Sequence, residues 1–198
     1  MLRWGRFAAA YAVLGTIVAA IGVVWRDGSL LAHPEPWLLL PAAASHSYSG
    51  LLGLAFGAAM VFVTRASVAR FGWARQLHTD LRPVAQEISG AGIIVLAALS
   101  SAAEELLFRS LLQPWLGLLP QALLFGLVHQ LPGPSRWVWA AWATLVGLAL
   151  GAIFQLTGSL VGPLVAHAFI NGLNLAFLKS HDPSPDRRHL GGLLGQRS

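Results

Sequence analysis

The stretch Ser100-Ser101-Ala102-Ala103-Glu104-Glu105-Leu106-Leu107-Phe108-Arg109 lies inside an apolar run that begins near Ile88 and reaches Leu112, just before Pro114. A run of this length suffices to cross a bilayer, which takes about 20 residues. Two adjacent carboxylates and a guanidinium are therefore predicted within a membrane span. Each charge near the centre of such a helix costs about 2.5–3.5 kcal/mol on insertion scales. A chain that keeps three of them is expected to pair them, to turn them toward a wet interior and to use them.

Composition supports the membrane reading. The chain has 198 residues, 56% hydrophobic and only 11% charged, against about 25% charged in soluble domains. The expected class is all-α: a polytopic membrane helix bundle of about six transmembrane helices in the lipid bilayer, forming a single domain over 1–198. A net charge of +5 does not imply nucleic acid, because the arginines are scattered among loops. There is no cysteine, which excludes disulfides and thiolate chemistry.

Six spans are predicted: about Phe7 to Trp25, Tyr48 to Thr64, Ile88 to Leu112, Leu116 to Gln130, Trp137 to Leu156 and Leu160 to Leu178. The first follows Arg3 and Arg6 and reads as an anchor rather than a signal peptide. The mixed basic segment between the second and third spans reads as an amphipathic surface helix. Residues 179–198 read as a polar, disordered tail. With the N-terminus placed inside, eleven lysines and arginines fall on the inner side and only Arg26 on the outer. The positive-inside rule then puts both termini in the cytoplasm, and a bacterial inner membrane is the expected location.

Depth brings other residues to Glu104. Glu104 is ten residues before Pro114, His129 nine after Pro120 and His167 eight after Ser159. At 1.5 Å per residue all three lie about 12–15 Å below one face. Glu105 and Arg109 are four apart and stack on one helix face, so they are expected to pair. Glu104 is turned about 100° away and stays free to act as a general base. Phe125 with His129, and His167 with Asn171, share faces in the same way. Each feature alone has a bland reading, as a structural ion pair or as hydrogen-bonding glue between helices. Together they favour a reactive cluster, with the Asn171 amide suited to a developing oxyanion.

Glu104-Glu105-x-x-x-Arg109, Phe125-x-x-x-His129 and His167-x-x-x-Asn171, in that order in a multispan chain, resemble the signature of the CPBP family, the CAAX prenyl endopeptidases and bacteriocin-processing enzymes also called Abi. The resemblance covers about Ile88 to Leu178. It implies an intramembrane endopeptidase of the glutamic type acting on a membrane protein or peptide. Glu104 and His129 would activate water, His167 and Asn171 would stabilise the oxyanion, and Glu105, Arg109 and Phe125 would support them. No metal is favoured, because no ligand pair shares a helix as in His-Glu-x-x-His; the alternative is zinc on Glu104, His129 and His167. Substrate is expected to enter beside the short fourth span. Two other classes use such residues: a small proton-coupled transporter, which would show repeat symmetry, and a non-catalytic membrane partner or immunity protein.

Overall fold

The computed structural model describes residues 3–26, 29–130 and 132–183. The described residues form α1 (Arg3–Trp25), α2 (Ala42–Arg70), α3 (Gly72–Gln86), α4 (Gly90–Glu105), a π-helical stretch (Leu106–Leu112), α5 (Gln113–Leu116), α6 (Leu118–Val128), α7 (Arg136–Thr157) and α8 (Val161–Ser180). No strand occurs among them, only an isolated bridge between Ala32 and Ser159. The described residues thus form a helical, multi-pass bundle, with five helices among them long and apolar enough to cross a membrane. The predicted fourth span differs. Gly117, at φ 89°, breaks the chain before it, and it ends at Val128, leaving 11 residues. At 1.5 Å per residue that is about 16 Å, half of a hydrocarbon core about 30 Å thick.

The charged helix is the central one. More than half of the Gly90–Leu116 window is buried, 56% against 17–39% for the other four spans. Exposed apolar side chains on the outer helices, among them Val24, Phe62 and Leu145, fit a lipid-facing surface. The basic residues gather at one end. There α2 finishes at Arg70, α7 begins at Arg136, and Lys179 of α8 donates to the carbonyls of Gln86 and Ile88. Lys179 and Ser180 therefore extend α8 rather than begin a tail; residues 184–198 of the predicted tail lie outside the described residues. The amphipathic segment is α3. It docks at this end through His78, whose Nε2 meets the carbonyl of His181 at 2.9 Å, and through Arg82, 3.1 Å from Asp182.

At the opposite end the segment after α1 is tied to the α7–α8 turn by backbone hydrogen bonds, His33 N to Gly158 O at 3.0 Å and Trp37 N to Gln155 O at 2.8 Å. Pro114 has no N–H to donate back along its helix. The Ser110 carbonyl one turn before it takes the Arg26 guanidinium instead, and the Ser110 hydroxyl donates to Leu30 O at 2.7 Å. The central helix is thereby anchored where it emerges.

Candidate active site

The π-helical stretch starts at the residue after Glu105. Such segments widen a helix by one residue per turn and are frequent at functional sites. Arg109 lies within it, yet its Nη1 still reaches Glu105 Oε1 at 2.9 Å, with both side chains fully buried. Its Nη2 donates to Gly147 O at 3.1 Å on α7, and its guanidinium lies 4.4 Å over the Phe125 ring. A cation enclosed this way has a charge, a carbonyl dipole and a π face as partners, which offset its desolvation.

Phe125 is the hub. Its ring centroid is 4.3 Å from that of His129, 5.8 Å from His167 and 5.0 Å from Phe108. It can sit there because α7 is bare opposite: a Cβ on Gly147 would stand 2.9 Å from Phe125 Cδ1. Gly126 is still tighter, with Thr144 Oγ1 1.8 Å from where its Cβ would be. The two glycines bring α6 and α7 close enough to clamp the ring.

The two histidines are oriented from behind. His129 Nδ1 is 2.6 Å from Phe125 O, and a carbonyl only accepts, so Nδ1 carries the proton. His167 Nδ1 is 2.7 Å from Glu105 Oε1, an acceptor already paired with Arg109, so this nitrogen donates as well. Each imidazole therefore turns Nε2 toward Glu104. Glu104 Oε2 lies 3.4 Å from His129 Nε2 and 3.8 Å from His167 Nε2. Those distances are long for strong hydrogen bonds, and Oε2 has no hydrogen-bond donor of its own although Glu104 is buried. α4, the end of α6 and α8 thus converge on one carboxylate oxygen.

Asn171 is not part of that convergence. Its Nδ2 donates to Ser100 Oγ at 3.2 Å, one helical turn from Glu104. Three partners had no signal in the sequence. Ser100 reads as a small residue in an apolar run. Gly147 contributes a carbonyl. Tyr11 of α1 comes near the Glu104 carboxylate, from a helix whose sequence shows only hydrophobicity. Glu104, His129 and His167 converge, yet among the described residues no group of three or more histidine or carboxylate side chains is arranged so as to hold a metal ion.

Beside the cluster a cavity of about 620 Å³ opens between α1, α4 and α8, lined by Trp4, Phe7, Ile88 and Leu96 and by the hydroxyl-bearing Tyr11 and Ser100.

Known proteins match the part of the chain that carries this cluster. The stretch is 36% identical over 81 residues to the "Uncharacterized protein YpbD" of Bacillus subtilis (strain 168), which amounts to 41% of this chain and 42% of that one. The chain thus spans less than half the length of that relative. No solved structure matches. The family model described as "Type II CAAX prenyl endopeptidase Rce1-like" matches residues 87–173, the stretch that contains Glu104, Glu105, Arg109, Phe125, His129, His167 and Asn171.

Proposed function

We propose that this protein is an intramembrane endopeptidase that hydrolyses a peptide bond of a membrane-associated protein or peptide. The observation that carries the proposal is the meeting of Glu104 Oε2 with the Nε2 atoms of His129 and His167 inside an apolar bundle, within the stretch that matches an endopeptidase family model. In this reading Glu104 and His129 hold the attacking water. Glu104 takes a proton from it as oxygen adds to the scissile carbonyl carbon. The oxyanion accepts hydrogen bonds from the Asn171 amide, which keeps a second N–H beyond the one given to Ser100, and from His167 in its imidazolium form, which carries a proton on Nε2 as well as on Nδ1. The proton then passes to the leaving nitrogen, the C–N bond breaks, and a carboxylate and an amine remain. Glu105, Arg109 and Phe125 touch no substrate; they fix the imidazoles. Ser100, which accepts from Asn171, and Tyr11, near Glu104, also line the largely apolar 620 Å³ cavity. This favours an approach from the α1 side of Glu104 rather than from beside α6, and a substrate segment of apolar character, such as a C-terminal tail or a leader. The reaction needs no metal ion in this reading.

The test compares wild type with Glu104→Gln in native membranes and maps new C-termini by mass spectrometry. Glu104→Gln is expected to abolish cleavage at unchanged thermal stability. Wild type is expected to keep its activity in strong chelator and to hold no stoichiometric zinc. Cleavage by Glu104→Gln refutes the base assignment. Activity lost to chelator and restored by zinc alone would replace this mechanism with the zinc alternative on Glu104, His129 and His167.

A further inference from the structure

We infer that Ser100 is a substrate-positioning residue, whose hydroxyl donates to a backbone carbonyl of the substrate close to the scissile bond. The inference rests on the proposed hydrolysis at Glu104 and adds the group that holds the peptide there.

α4 and α8 meet through a series of rungs, each one helical turn from the next. In the first, Leu175 packs against the apolar cluster that holds Leu96. In the second, Asn171 Nδ2 donates to Ser100 Oγ at 3.2 Å. In the third, Glu104 Oε2 lies 3.8 Å from His167 Nε2. Leu96, Ser100 and Glu104 are four apart along α4, as Leu175, Asn171 and His167 are along α8, so each set shares one helix face. Leu96, Leu175 and Ser100 also line the 620 Å³ cavity. The Ser100 rung therefore stands between the apolar wall of the cavity and the catalytic pair. A peptide that reaches from the cavity to Glu104 passes it.

The bond from Asn171 occupies a lone pair of Ser100 Oγ and leaves the hydroxyl hydrogen. Hydroxyls inside helices often send that hydrogen to the carbonyl four residues back, as Thr144 does to Ala140 O and Ser180 to Ala176 O, both at 2.9 Å. Among the described residues Ser100 takes part in one side-chain hydrogen bond, the one it accepts. Its O–H is left for a ligand. The chemistry of that ligand follows from the surroundings. A peptide is cut where it is unwound, and an unwound backbone carries carbonyls that have lost their helical partners. Leaving them unpaired in an apolar space is costly. Phe7, Ile88, Leu96 and Leu175 in the cavity wall have no polar side-chain atom to offer; Ser100 does. One rung is about 6 Å, and an extended chain rises about 3.3 Å per residue. The carbonyl that Ser100 meets thus lies within about two residues of the scissile bond.

The experiment is steady-state cleavage, in lipid vesicles, of a synthetic peptide spanning the cut mapped in native membranes, by full-length wild type, Ser100→Ala and Glu104→Gln. Companion peptides carry an ester in place of one of the two peptide bonds on either side of the scissile one, which weakens that carbonyl as an acceptor. Ser100→Ala is expected to raise KM about two- to tenfold, the range of one neutral hydrogen bond. Its kcat should stay within about twofold, because a bond made alike in ground and transition states is lost uniformly. One of the esters should raise KM for wild type and not for Ser100→Ala, a coupling that a merely structural serine does not produce. Should Ser100→Ala fail to accumulate, wild type decides: an ester that raises KM supports the assignment, and a KM unmoved by every ester overturns it. A kcat loss at unchanged KM would mean that Ser100 only holds Asn171. That result, or no coupling at any ester, overturns the Ser100 assignment while an inactive Glu104→Gln leaves the base in place. An active Glu104→Gln with the coupling intact overturns the base alone, and a wild type that cuts no peptide overturns both.

Discussion

Arg109→Ala is the sharpest test of how the site is held. The wild-type guanidinium has no solvent exposure and makes three contacts, with Glu105 at 2.9 Å, with Gly147 O at 3.1 Å and with the Phe125 face at 4.4 Å. Removing it leaves Glu105 fully buried, with His167 Nδ1 as its remaining partner. Breaking a buried pair from one side costs about 3–5 kcal/mol. For a chain of this size each kcal/mol moves the unfolding midpoint by roughly 2–4 °C, so a fall on the order of 10 °C is expected. Thermal unfolding in a mild detergent measures it. The companion variant Glu105→Leu with Arg109→Met removes both charges and should recover most of the stability, since apolar replacement of a whole buried pair is often neutral or better. It should not recover cleavage, because His167 then lacks the acceptor that orients it. A midpoint for Arg109→Ala within about 2 °C of wild type would refute the claim that this pair is desolvated and load-sharing.

Two further predictions follow from the basic end. Burial holds His78 below its ordinary value of 6.5, helped by the charges of Arg82 and His181 and opposed by the His181 carbonyl and Asp182. A lowered folded-state value means that its share of stability is complete above about 6.5 and is lost as pH falls through that lowered value. Amide exchange over residues 72–86, corrected for intrinsic rate, should therefore accelerate on acidification in wild type and not in His78→Gln; equal behaviour of the two would refute it. The positive-inside rule predicts that this end, with its excess of arginine and lysine, faces the cytoplasm. A reporter fused after Ser198 should be active only in the cytoplasm, and external activity would reverse the orientation.

Much of the site was legible because it rests on helical periodicity. The spacing of Glu105 and Arg109 places them on one face, and they do pair. The same arithmetic turns Glu104 away toward His129 and His167, whose depths along their own spans agree. What periodicity cannot register stayed hidden. The π-helical stretch after Glu105 has no composition of its own, since Leu106–Leu112 reads as any apolar helix. Hydropathy runs on from Leu116 to Gln130, so it overstates α6; the break comes from the backbone at Gly117 and at the turn into the following loop. Asn171 shares a face with His167 but sits one turn along, and its partner Ser100 carries no signal at all. Tyr11 is separated from Glu104 by more than 90 residues of sequence, and only packing brings it near.

The shortness of α6 has an electrostatic consequence. The helix stops in the middle of the bundle, and His129 is the residue that caps it: its backbone N–H bonds to Gly126 O and its Nδ1–H to Phe125 O. The end of a helix carries about half a negative charge on its free carbonyls. A helix crossing the whole bilayer would spend that pole on headgroups and water. Here it is delivered to the imidazole that, in the proposed reaction, holds the attacking water together with Glu104. The partial positive charge drawn onto the His129 ring when Nε2 accepts from that water meets a fixed dipole that need not reorganise; such a pole is worth about 0.3–1 kcal/mol for a full charge at a surface and up to about 2 kcal/mol when partly buried. Extending α6 by one more turn would give Phe125 O to a backbone N–H in place of His129 Nδ1 and would remove that pole from the reaction.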